Sequence, residues 1–350
     1  MKRISVVIPA LNAAGSIGAA ISSLHSERDL IAEILVVDDG SIDGTAAIAI
    51  RAGLENDLPV KVVPVGGRDI GAARNAGLAG TNSPWVYFLD ADDLHVEGGL
   101  RRMLEKAGEK PEANLIVGSY IRRVAGLAHL VEPWRDYAQS DGKTAGDFLA
   151  DRLKAINIGI ALIARAILTD IRFPECIAYE EDTLFWARLL MAAVVAAVDA
   201  PVMIYNLSRQ RADDRLIRAG VVGFFAWRRA LRALQNAGIS DAILRKREGL
   251  MAIKLARINY FRGRLGIAAR FLTLARSTPK DLTAAWRYRR YCLKIYLARS
   301  ILRVKYASRR WRRSSSRSEA GMAPQGKSVM PAGLLPCETQ ARLEARDPRM

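Results

Sequence analysis

Three carboxylates stand within four residues at the end of an apolar run, Phe88-Leu-Asp-Ala-Asp-Asp93. Carboxylates this close repel one another unless a cation lies among them. Mg²⁺ and Mn²⁺ are bound by one or two protein carboxylates together with phosphate oxygens. The pattern therefore indicates a metal that also holds a phosphate-bearing ligand. The competing interpretation is a solvated acidic turn, or a helix N-cap formed by Asp93.

Two adjacent acids, Asp38 and Asp39, end a second β-branched run in the segment Val36-Val-Asp-Asp-Gly-Ser-Ile-Asp-Gly-Thr45. Gly40 permits a tight turn, and the Ser, Asp and Thr that follow can cap a helix. A turn and a cap do not explain two acids side by side, whereas a ligand with ring N–H or ribose hydroxyl donors does. The segment predicts either nucleoside binding or only a capped turn.

The segment Gly71-Ala-Ala-Arg-Asn-Ala-Gly77 combines small residues with one arginine. Small side chains let a helix start approach a neighbour or a ligand closely, and the Arg74 guanidinium suits phosphate oxygens. The alternative is a packed Ala-rich helix whose arginine pairs with a local acid. The residues alone do not decide between the two.

Three consecutive acids, Glu180, Glu181 and Asp182, precede an apolar helix predicted at Leu184–Leu190. Acidic side chains stabilise a helix N-terminus by up to about 1 kcal/mol, so a helix start is one interpretation. The other is a general base accompanied by partners that orient it.

The elements that must position these residues alternate between strands and helices over the first 95 residues. Strands are predicted at Ile4–Ile8, Ile34–Val37, Val60–Val65 and Trp85–Leu89, and helices at Ala13–Leu24, Ser41–Ile50 and Arg74–Ala79. This order predicts an α/β fold with a mostly parallel, doubly wound sheet. Open sheets of this kind bind ligands at the carboxyl ends of their strands, where the first two acidic clusters lie.

Beyond residue 95 the pattern is mixed, and from about residue 215 it becomes helical. A helix at Gly99–Ala107, a strand at Asn114–Tyr120 and a helix at Ala145–Leu153 are predicted; Phe224, Trp227, Leu231 and Leu234 share one face of a later helix. After Arg310 the periodicity is lost, which predicts disorder. The predicted domains are residues 1–210, a basic helical region at 211–312 and a disordered tail at 313–350.

The charge is distributed unevenly along the chain. Residues 1–200 carry 20 Lys/Arg against 27 Asp/Glu, and residues 201–350 carry 33 against 9. The second part is therefore expected to meet an anionic partner: a membrane surface, an acidic acceptor or nucleic acid.

Three widely separated cysteines predict neither a disulfide framework nor a zinc site and fit a reducing cytoplasm. No apolar stretch is long enough for a transmembrane helix.

The chain contains five segments in this order: SVVIPALN, VVDDGSIDGT, GAARNAG, FLDADD and YEEDTLF. Together they resemble the family 2 glycosyltransferases with the GT-A fold, in particular bacterial members that build surface polysaccharides. The ordered set is far more specific than any one segment. The resemblance implies that residues 1–210 are a glycosyltransferase catalytic domain, followed by a helical C-terminal extension.

The resemblance also implies a site for a nucleotide-diphosphate sugar. Pro9, Ala10 and Asn12 would line the nucleotide pocket after the first strand. Asp39 would accept a hydrogen bond from the base, commonly uracil, and Arg74 would lie near the diphosphate.

A metal and a base complete the implied site. Asp90 would face the ribose or donor sugar, and Asp92, with Asp90, would bind Mn²⁺ or Mg²⁺. Asp182 matches the family's catalytic base, with Glu181 beside it. The implied reaction moves one sugar, with inversion, to a hydroxyl of a glycan or lipid-linked acceptor. His95 follows Asp92 closely and is expected at the surface, at a helix start, rather than beside the metal.

Some features depart from the family pattern. Asp69 stands before Gly71 where the family often has a Gly, which places another acid near the diphosphate. The Gln-x-x-Arg-Trp signature of processive members is missing, which predicts transfer of single sugars. Two alternatives are weighed: a non-catalytic nucleotide-sugar-binding or assembly protein, and a sugar nucleotidyltransferase. The latter carries a Gly-rich loop after its first strand, where this chain has Pro9-Ala-Leu-Asn12.

Residues 286–313 mix aromatic side chains with Arg and Lys. Anionic lipid surfaces attract basic segments at about 1 kcal/mol per residue. This segment predicts peripheral association with the inner face of the cell membrane, although its basic positions do not collect on one helical face. Nucleic acid is disfavoured, because no recognised binding module is present.

Overall fold

The computed structural model describes residues 3–67, 69–124, 126–132, 144–153, 156–206, 209–275 and 288–298, without the side chains of 209–213 and 215. The part of the chain up to Leu297 forms one compact unit. No helix within the described ranges is both long and apolar enough to cross a membrane. The predicted division at residue 210 stays a prediction, and the predicted disordered tail lies outside the described residues.

The first half of the sheet consists of four parallel strands in the order β3-β2-β1-β4. They are β1 (Ile4–Ala10), β2 (Ile31–Asp38), β3 (Val60–Pro64) and β4 (Trp85–Phe88). All seven residues of β1 are buried, because helices cover both faces of a doubly wound sheet. The four strands predicted from the sequence are confirmed, with ends shifted by a few residues.

Three helices connect these strands: α1 (Ile17–Ser22), α2 (Thr45–Glu55) and α3 (Ile70–Gly80). Helix α3 packs so closely on the sheet that a Cβ on Gly77 would lie 2.4 Å from Cγ1 of Val7. A Cβ on Gly71 would lie 2.4 Å from the carbonyl oxygen of Pro174. Close packing therefore accounts for both glycines of the GAARNAG segment, as its structural interpretation predicts.

The second half of the sheet is mixed. Strand β8 (Ala161–Ala164) is antiparallel to both β4 and β6 (Leu115–Val124), and β6 is parallel to β9 (Val195–Asn206). Strands β5 (Leu94–His95) and β7 (Leu127–Val131) add antiparallel pairs with β9 and β6. The predicted parallel arrangement therefore holds for the first four strands, and the second half adds antiparallel pairs.

Strand β9 has no counterpart among the predicted elements. Its first residues are alanine-rich and follow a helix directly, so their pattern resembles the end of that helix. It also contains Pro201, which disfavours a central strand. The structure accommodates the proline at an irregularity, where the β6–β9 register shifts on both sides of Ser119.

Further helices lie along the described chain. They are α4 (Gly99–Glu109), α5 (Thr144–Leu149), α6 (Glu181–Ala192), α7 (Arg209–Arg232, kinked at Gly220), α8 (Asp241–Phe261), α9 (Leu265–Leu274) and α10 at 288–298. Short 3₁₀ helices lie at His25–Glu27, Ile158–Ile160, Arg165–Leu168 and Ala233–Ala237. Phe224, Trp227, Leu231 and Leu234 are buried, so the predicted apolar face of the helical extension is confirmed.

His95 is a correction to the sequence analysis. It is 4% exposed and lies in β5, not at the surface. Its Nδ1 lies 3.4 Å from the Tyr87 hydroxyl, and its Nε2 lies 3.4 Å from Oε1 of buried Glu27. The imidazole is thus part of a buried polar cluster, which a short polar stretch in the sequence does not reveal.

Candidate active site

The loops after β1 and β2 are joined by side-chain hydrogen bonds. Asn12 adopts a left-handed conformation (φ 50°), which asparagine tolerates well. Its N–H donates to Oγ of Ser41 (2.9 Å), and its Oδ1 accepts from the N–H of Ile42 (3.0 Å). The N–H of Ala13 donates to Oγ1 of Thr45 (2.8 Å). The side chains of Ser41 and Thr45 therefore hold the loop after β1 in place and do not cap helix α2.

The residues predicted to bind a nucleotide come together at the carboxyl ends of β1 and β2. In the parallel register Pro9 lies beside Val37 and Ala10 beside Asp38. The N–H of Asp39 donates to the carbonyl of Ala10 (2.8 Å), and Asp39 is 4% exposed. Asn12 lies two residues after Ala10, so all four predicted residues, Pro9, Ala10, Asn12 and Asp39, lie at the same end of the sheet.

The acidic turn after β4 holds its carboxylates in different environments. Asp90 and Asp92 are partly exposed, whereas Asp93 is fully buried. Oδ1 of Asp93 accepts from the N–H of Asn206 (2.8 Å), and Nδ2 of Asn206 donates to the carbonyl of Asp92 (2.8 Å). Burial, reinforced by Asp90 and Asp92, raises the pKa of Asp93 to about 9. Asp93 is therefore a buried anchor of the turn, not a helix cap, and Asn206 is a positioning residue absent from the sequence predictions.

Arg74 connects the acidic turn at Asp90 to Glu181, one of the three consecutive acids before α6. Its side chain is 3% exposed; Nη2 lies 2.7 Å from Oδ1 of Asp90, and Nη1 lies 3.4 Å from Oε1 of Glu181. Burial disfavours the charged guanidinium, but Asp90 and Glu181 outweigh burial and raise the pKa of Arg74. The arginine predicted near a diphosphate is thus placed between two carboxylates, in agreement with the structural interpretation of its segment.

Aromatic packing holds this ion-pair network in place. The Arg74 guanidinium carbon lies 5.2 Å from the centre of the Phe173 ring, which stacks on Phe185 at 3.8 Å. Nδ2 of Asn75 donates to the carbonyl of Phe173, and its Oδ1 accepts from the Phe173 N–H, both at 2.9 Å. Asn75 therefore ties α3 to the segment before the acidic motif. Asn75 lies within the GAARNAG segment, but the sequence predicts no role for it.

Asp69, the acid that departs from the family pattern, has a structural role. It is the N-cap of α3, where its Oδ1 accepts from the N–H of Ala72 (3.0 Å). Its Oδ2 accepts from the N–H of Cys176. Both oxygens are thus engaged by backbone donors, and the side chain joins α3 to the loop before α6.

The loop that leads into α6 is held by the helical extension. Glu180 has a left-handed backbone (φ 42°), a strained conformation for a residue with a side chain. Its carboxylate is bound by Arg247 and by Nζ of Lys254 (2.9 Å), both from α8. Although burial opposes ionisation, these two cations lower the pKa of Glu180 to about 2. Tyr179 donates to the carbonyl of Gly220 at the kink of α7.

Asp182 follows this clamp and differs from its neighbour Glu181. The side chain of Glu181 is 4% exposed and belongs to the Arg74 network, whereas Asp182 is partly exposed. Burial, with the charges of Glu181 and Glu180, raises the pKa of Asp182 to about 6. Such a carboxylate is ionised near neutral pH and more basic than an exposed one, which suits a general base.

Asp182 also lines a cavity of about 700 Å³. One face of α8, including Met251, contributes to its wall, and we call it the α8 cavity. Tyr205, from the end of β9, lies on the same wall. Burial and the nearby carboxylates, led by Asp93, raise the pKa of Tyr205, so its hydroxyl remains a donor. Tyr205 has no role in the sequence predictions, because only the fold brings β9 to Asp182.

The carboxylates of the turn fit a divalent cation bound together with a phosphate. Arg74 engages Oδ1 of Asp90, and Asp92 is partly exposed. Among the described residues no group of three or more His, Cys, Asp or Glu could hold a metal ion by itself. Mg²⁺ typically uses only one or two protein carboxylates and completes its shell with substrate phosphates and water. Asp90 and Asp92 therefore match a metal that arrives with a diphosphate.

The order of these motifs matches one family of proteins. The sequence matches Glycosyl transferase family 2 over residues 5–168, a range that contains the β1 loop, the acidic turn and Arg74. Residues 5–168 are a glycosyl transferase family 2 domain. The family 2 domain thus includes every residue predicted to bind the nucleotide or the metal, and Glu181 and Asp182 lie beyond the matched range.

Curated relatives agree with this assignment over part of their length. The succinoglycan biosynthesis protein ExoO of Rhizobium meliloti (strain 1021) is 35% identical over 105 residues, which are 30% of this chain and 29% of that protein. ExoU of the same organism, also a succinoglycan biosynthesis protein, is 38% identical over 106 residues, 30% of each chain. The alignments thus span less than a third of these relatives.

The likeness to solved structures extends beyond the family 2 domain. The structure of S. aureus TarS 1–349 in complex with UDP-GlcNAc has a TM-score of 0.53 and 17% identity, covering 86% of this chain and 88% of TarS 1–349. At this identity the likeness shows the fold alone. It confirms the predicted GT-A fold with a helical C-terminal region.

Proposed function

We propose that this chain is an inverting, metal-dependent glycosyltransferase that moves one sugar from a nucleotide-diphosphate sugar, UDP-linked, to a hydroxyl of a glycan or lipid-linked acceptor. We propose that it acts in surface polysaccharide synthesis. This is supported by the similarity to ExoO and ExoU, which are both named as succinoglycan biosynthesis proteins. TarS, crystallised with UDP-GlcNAc, supports a UDP-sugar as the class of donor.

The observation that carries this proposal is the Arg74 bridge. Arg74 joins Asp90 of the predicted donor site to Glu181, the neighbour of the predicted base, which lies 107 residues after Arg74 in the sequence. A shared buried arginine holds the two motifs at one site, which a transfer reaction between two substrates requires. A protein that only binds a nucleotide sugar has no need for a basic carboxylate beside that site.

In the proposed reaction the carboxylate of Asp182 accepts the proton of the acceptor hydroxyl. The hydroxyl oxygen bonds to the anomeric carbon as the bond to the diphosphate oxygen breaks, and the nucleoside diphosphate leaves with that electron pair. Attack opposite the leaving group inverts the anomeric carbon. Arg74 keeps Asp90 and Glu181 in place through this step, so we assign it a positioning role.

A divalent cation, Mn²⁺ or Mg²⁺, would be held by Asp92 and Asp90 and would stabilise negative charge on the leaving diphosphate. The other groups of the donor site bind and orient. Asp39 accepts a hydrogen bond from the base, and the loop of Pro9, Ala10 and Asn12 encloses the nucleoside.

The test is release of UDP from a panel of UDP-sugars with Mn²⁺ present, first with water as acceptor. Asp182→Asn is expected to lower the rate by about 100-fold or more, the usual contribution of a general base. Asp170→Asn, which changes an exposed carboxyl outside the site, is expected to have no effect. Absence of UDP release from every donor, with folded protein, would instead favour the non-catalytic binding or assembly protein.

We also propose that the enzyme works at the inner face of the cell membrane, in the cytoplasm. Helix α10 exposes three large apolar residues on one face, Leu293 (60%), Tyr296 (70%) and Leu297 (50%), and its Arg289 and Arg290 are exposed as well. Apolar and basic side chains side by side favour an anionic lipid surface. Flotation with phosphatidylglycerol vesicles, but not with phosphatidylcholine vesicles, is expected. Replacing the three apolar residues with Ser should abolish it; flotation that persists would contradict this placement.

A further inference from the structure

The chain on both sides of the predicted base is contacted by one nitrogen atom of α8. Nη2 of Arg247 binds the carboxylate of Glu180 and lies 3.3 Å from Oγ1 of Thr183. Glu180 stands two residues before Asp182 in the chain, and Thr183 stands one residue after it. All four residues line the α8 cavity. Arg247 therefore brackets the base from a helix that lies more than 60 residues further along the chain.

Local forces do not favour the conformation that these contacts hold. Glu180 is the N-cap of α6, with φ 42° and ψ 48°, but within the described helix its side chain makes no cap hydrogen bond. A left-handed backbone costs such a residue on the order of 1–3 kcal/mol and persists only where its surroundings hold it. Here one carboxylate oxygen binds Arg247 and the other accepts from Nζ of Lys254 (2.9 Å). We call these three residues the Glu180 clamp.

The direction of the base depends on the turn that the clamp holds. Asp182 lies in the first turn of α6, directly after the left-handed residue and Glu181. Oδ1 of Asp182 accepts from the N–H of Thr183 (2.8 Å), so the carboxylate follows the backbone at Thr183. A general base must lie within hydrogen-bond distance of the proton that it takes. A displacement of about 1 Å at this turn is therefore enough to slow the reaction.

Helix α8 can hold this turn because the helix itself is well packed. Its buried apolar residues include Leu244, Met251 and Leu255. The side chain of Arg247 is 14% exposed and that of Glu180 is 16% exposed, so their ion pair is largely shielded from water. Lys254 is 41% exposed and touches only the Glu180 side of the base in the contacts described here. Arg247 is thus the member of the clamp that is best placed to fix the base.

We propose that Arg247 is a positioning residue of the transfer reaction: through Glu180 and Thr183 it fixes the start of α6, so that the carboxylate of Asp182 faces the acceptor hydroxyl. This inference rests on the proposed function, since it takes Asp182 as the base. It gives the helical extension a part in the chemical step, although the family 2 match ends at residue 168.

The test is UDP release by the full chain carrying Arg247→Gln, with Mn²⁺, with water as acceptor and with the UDP-sugar that the wild type hydrolyses fastest. The kcat is expected to fall about tenfold or more, yet less than in Asp182→Asn, because a displaced base keeps part of its effect. The KM for the UDP-sugar is expected to stay within about twofold, since Arg247 contacts no residue assigned to the donor. Arg245→Gln is the matched control: it removes the same charge from an exposed position of α8 and should change neither constant.

Two further variants separate positioning from a purely structural role. Both contacts of Arg247 come from one nitrogen, so the single ammonium of Arg247→Lys can replace them and is expected to bring kcat to within about threefold of the wild type. Arg247→Gln/Glu180→Gln is expected to be no slower than Arg247→Gln, because residues that act through each other are not additive. If Arg247→Gln does not fold, this double variant replaces it with the same expected kcat, since it buries no carboxylate at residue 180.

Several results would overturn the inference, provided that thermal unfolding shows each variant to be folded at the assay temperature. They are a kcat for Arg247→Gln within about twofold of the wild type, an equal loss in Arg245→Gln, and a loss that appears in KM alone. An Arg247→Lys variant as slow as Arg247→Gln, or a further loss in the double variant, would overturn it as well. Absence of UDP release by the wild type is a different outcome, because it refutes the proposed function itself.

Discussion

Removal of the Arg74 charge is expected to destabilise the protein strongly. Arg74→Met retains most of the aliphatic volume and deletes the guanidinium that binds Asp90 and Glu181. The side chain of Asp90 is 26% exposed and keeps some hydration, but that of Glu181 is 4% exposed. Glu181 then loses its buried ion pair with Arg74. Breaking a buried pair in this way lowers the free energy of unfolding by about 3–5 kcal/mol.

Thermal unfolding measures this effect directly. For a domain of this size, a loss of 3–5 kcal/mol corresponds to a fall in Tm on the order of 10 °C. Arg74→Met/Glu181→Gln is expected to recover about half of that loss, because a neutral amide is far less costly to bury than a carboxylate. Arg270→Met, at an exposed position, serves as the control and should leave Tm unchanged within about 2 °C.

Two results would refute the reasoning. If Arg74→Met melts within about 2 °C of the wild type, the guanidinium does not compensate a buried charge. If the added Glu181→Gln change brings no recovery, the loss comes from packing around Phe173 and not from the broken ion pair of Glu181.

Three further predictions concern single groups. The kcat/KM for UDP release is expected to fall tenfold per pH unit below about pH 6, where Asp182 takes up a proton; a limb near pH 4, the ordinary carboxyl range, would contradict the effect of burial. The lowered pKa of Glu180 contributes about 3 kcal/mol of stability that is present above its ordinary pKa of 4.5 and lost as the pH falls towards about 2. Denaturant titrations should show this loss in the wild type but not in Glu180→Gln. Gly77→Ala is expected to lower stability by about 1–3 kcal/mol because its Cβ meets Val7, whereas Gly66→Ala, with open space around its Cβ, should not; equal melting temperatures would contradict the close packing of α3.

The parallel half of the fold follows from local patterns. Strand β1 is buried along its whole length, so its segment is an apolar run, interrupted only by Ser5, that stands out in the sequence. Gly71 and Gly77 mark a helix that approaches its neighbours closely, and acidic residues mark the strand ends. The mixed half is less predictable from the sequence. The pairing of β6 with β9 depends on how segments distant in the chain come together, and on a register irregularity at Ser119.

The candidate site divides in the same way. Its motifs can be recognised in the sequence because carboxylates cluster at short spacing. Asp90, Asp92 and Asp182 belong to those clusters. The sequence does not reveal their environments: Asp93 is buried and its pKa is raised, while Asp92 beside it is partly exposed. Burial depends on what the rest of the chain places over a residue.

By itself, therefore, the sequence determined the order of the elements in the parallel half, the family resemblance of that half and the identity of the acidic groups, since these depend on residues close together in the chain. Only the tertiary structure decided that Arg74 pairs with two carboxylates, which is one of the two interpretations that its segment leaves open, and that α8 binds Glu180 near the predicted base. Glu180 and Lys254 are 74 residues apart. Pairings of this kind arise from the packing of whole helices and strands, which no local spacing encodes.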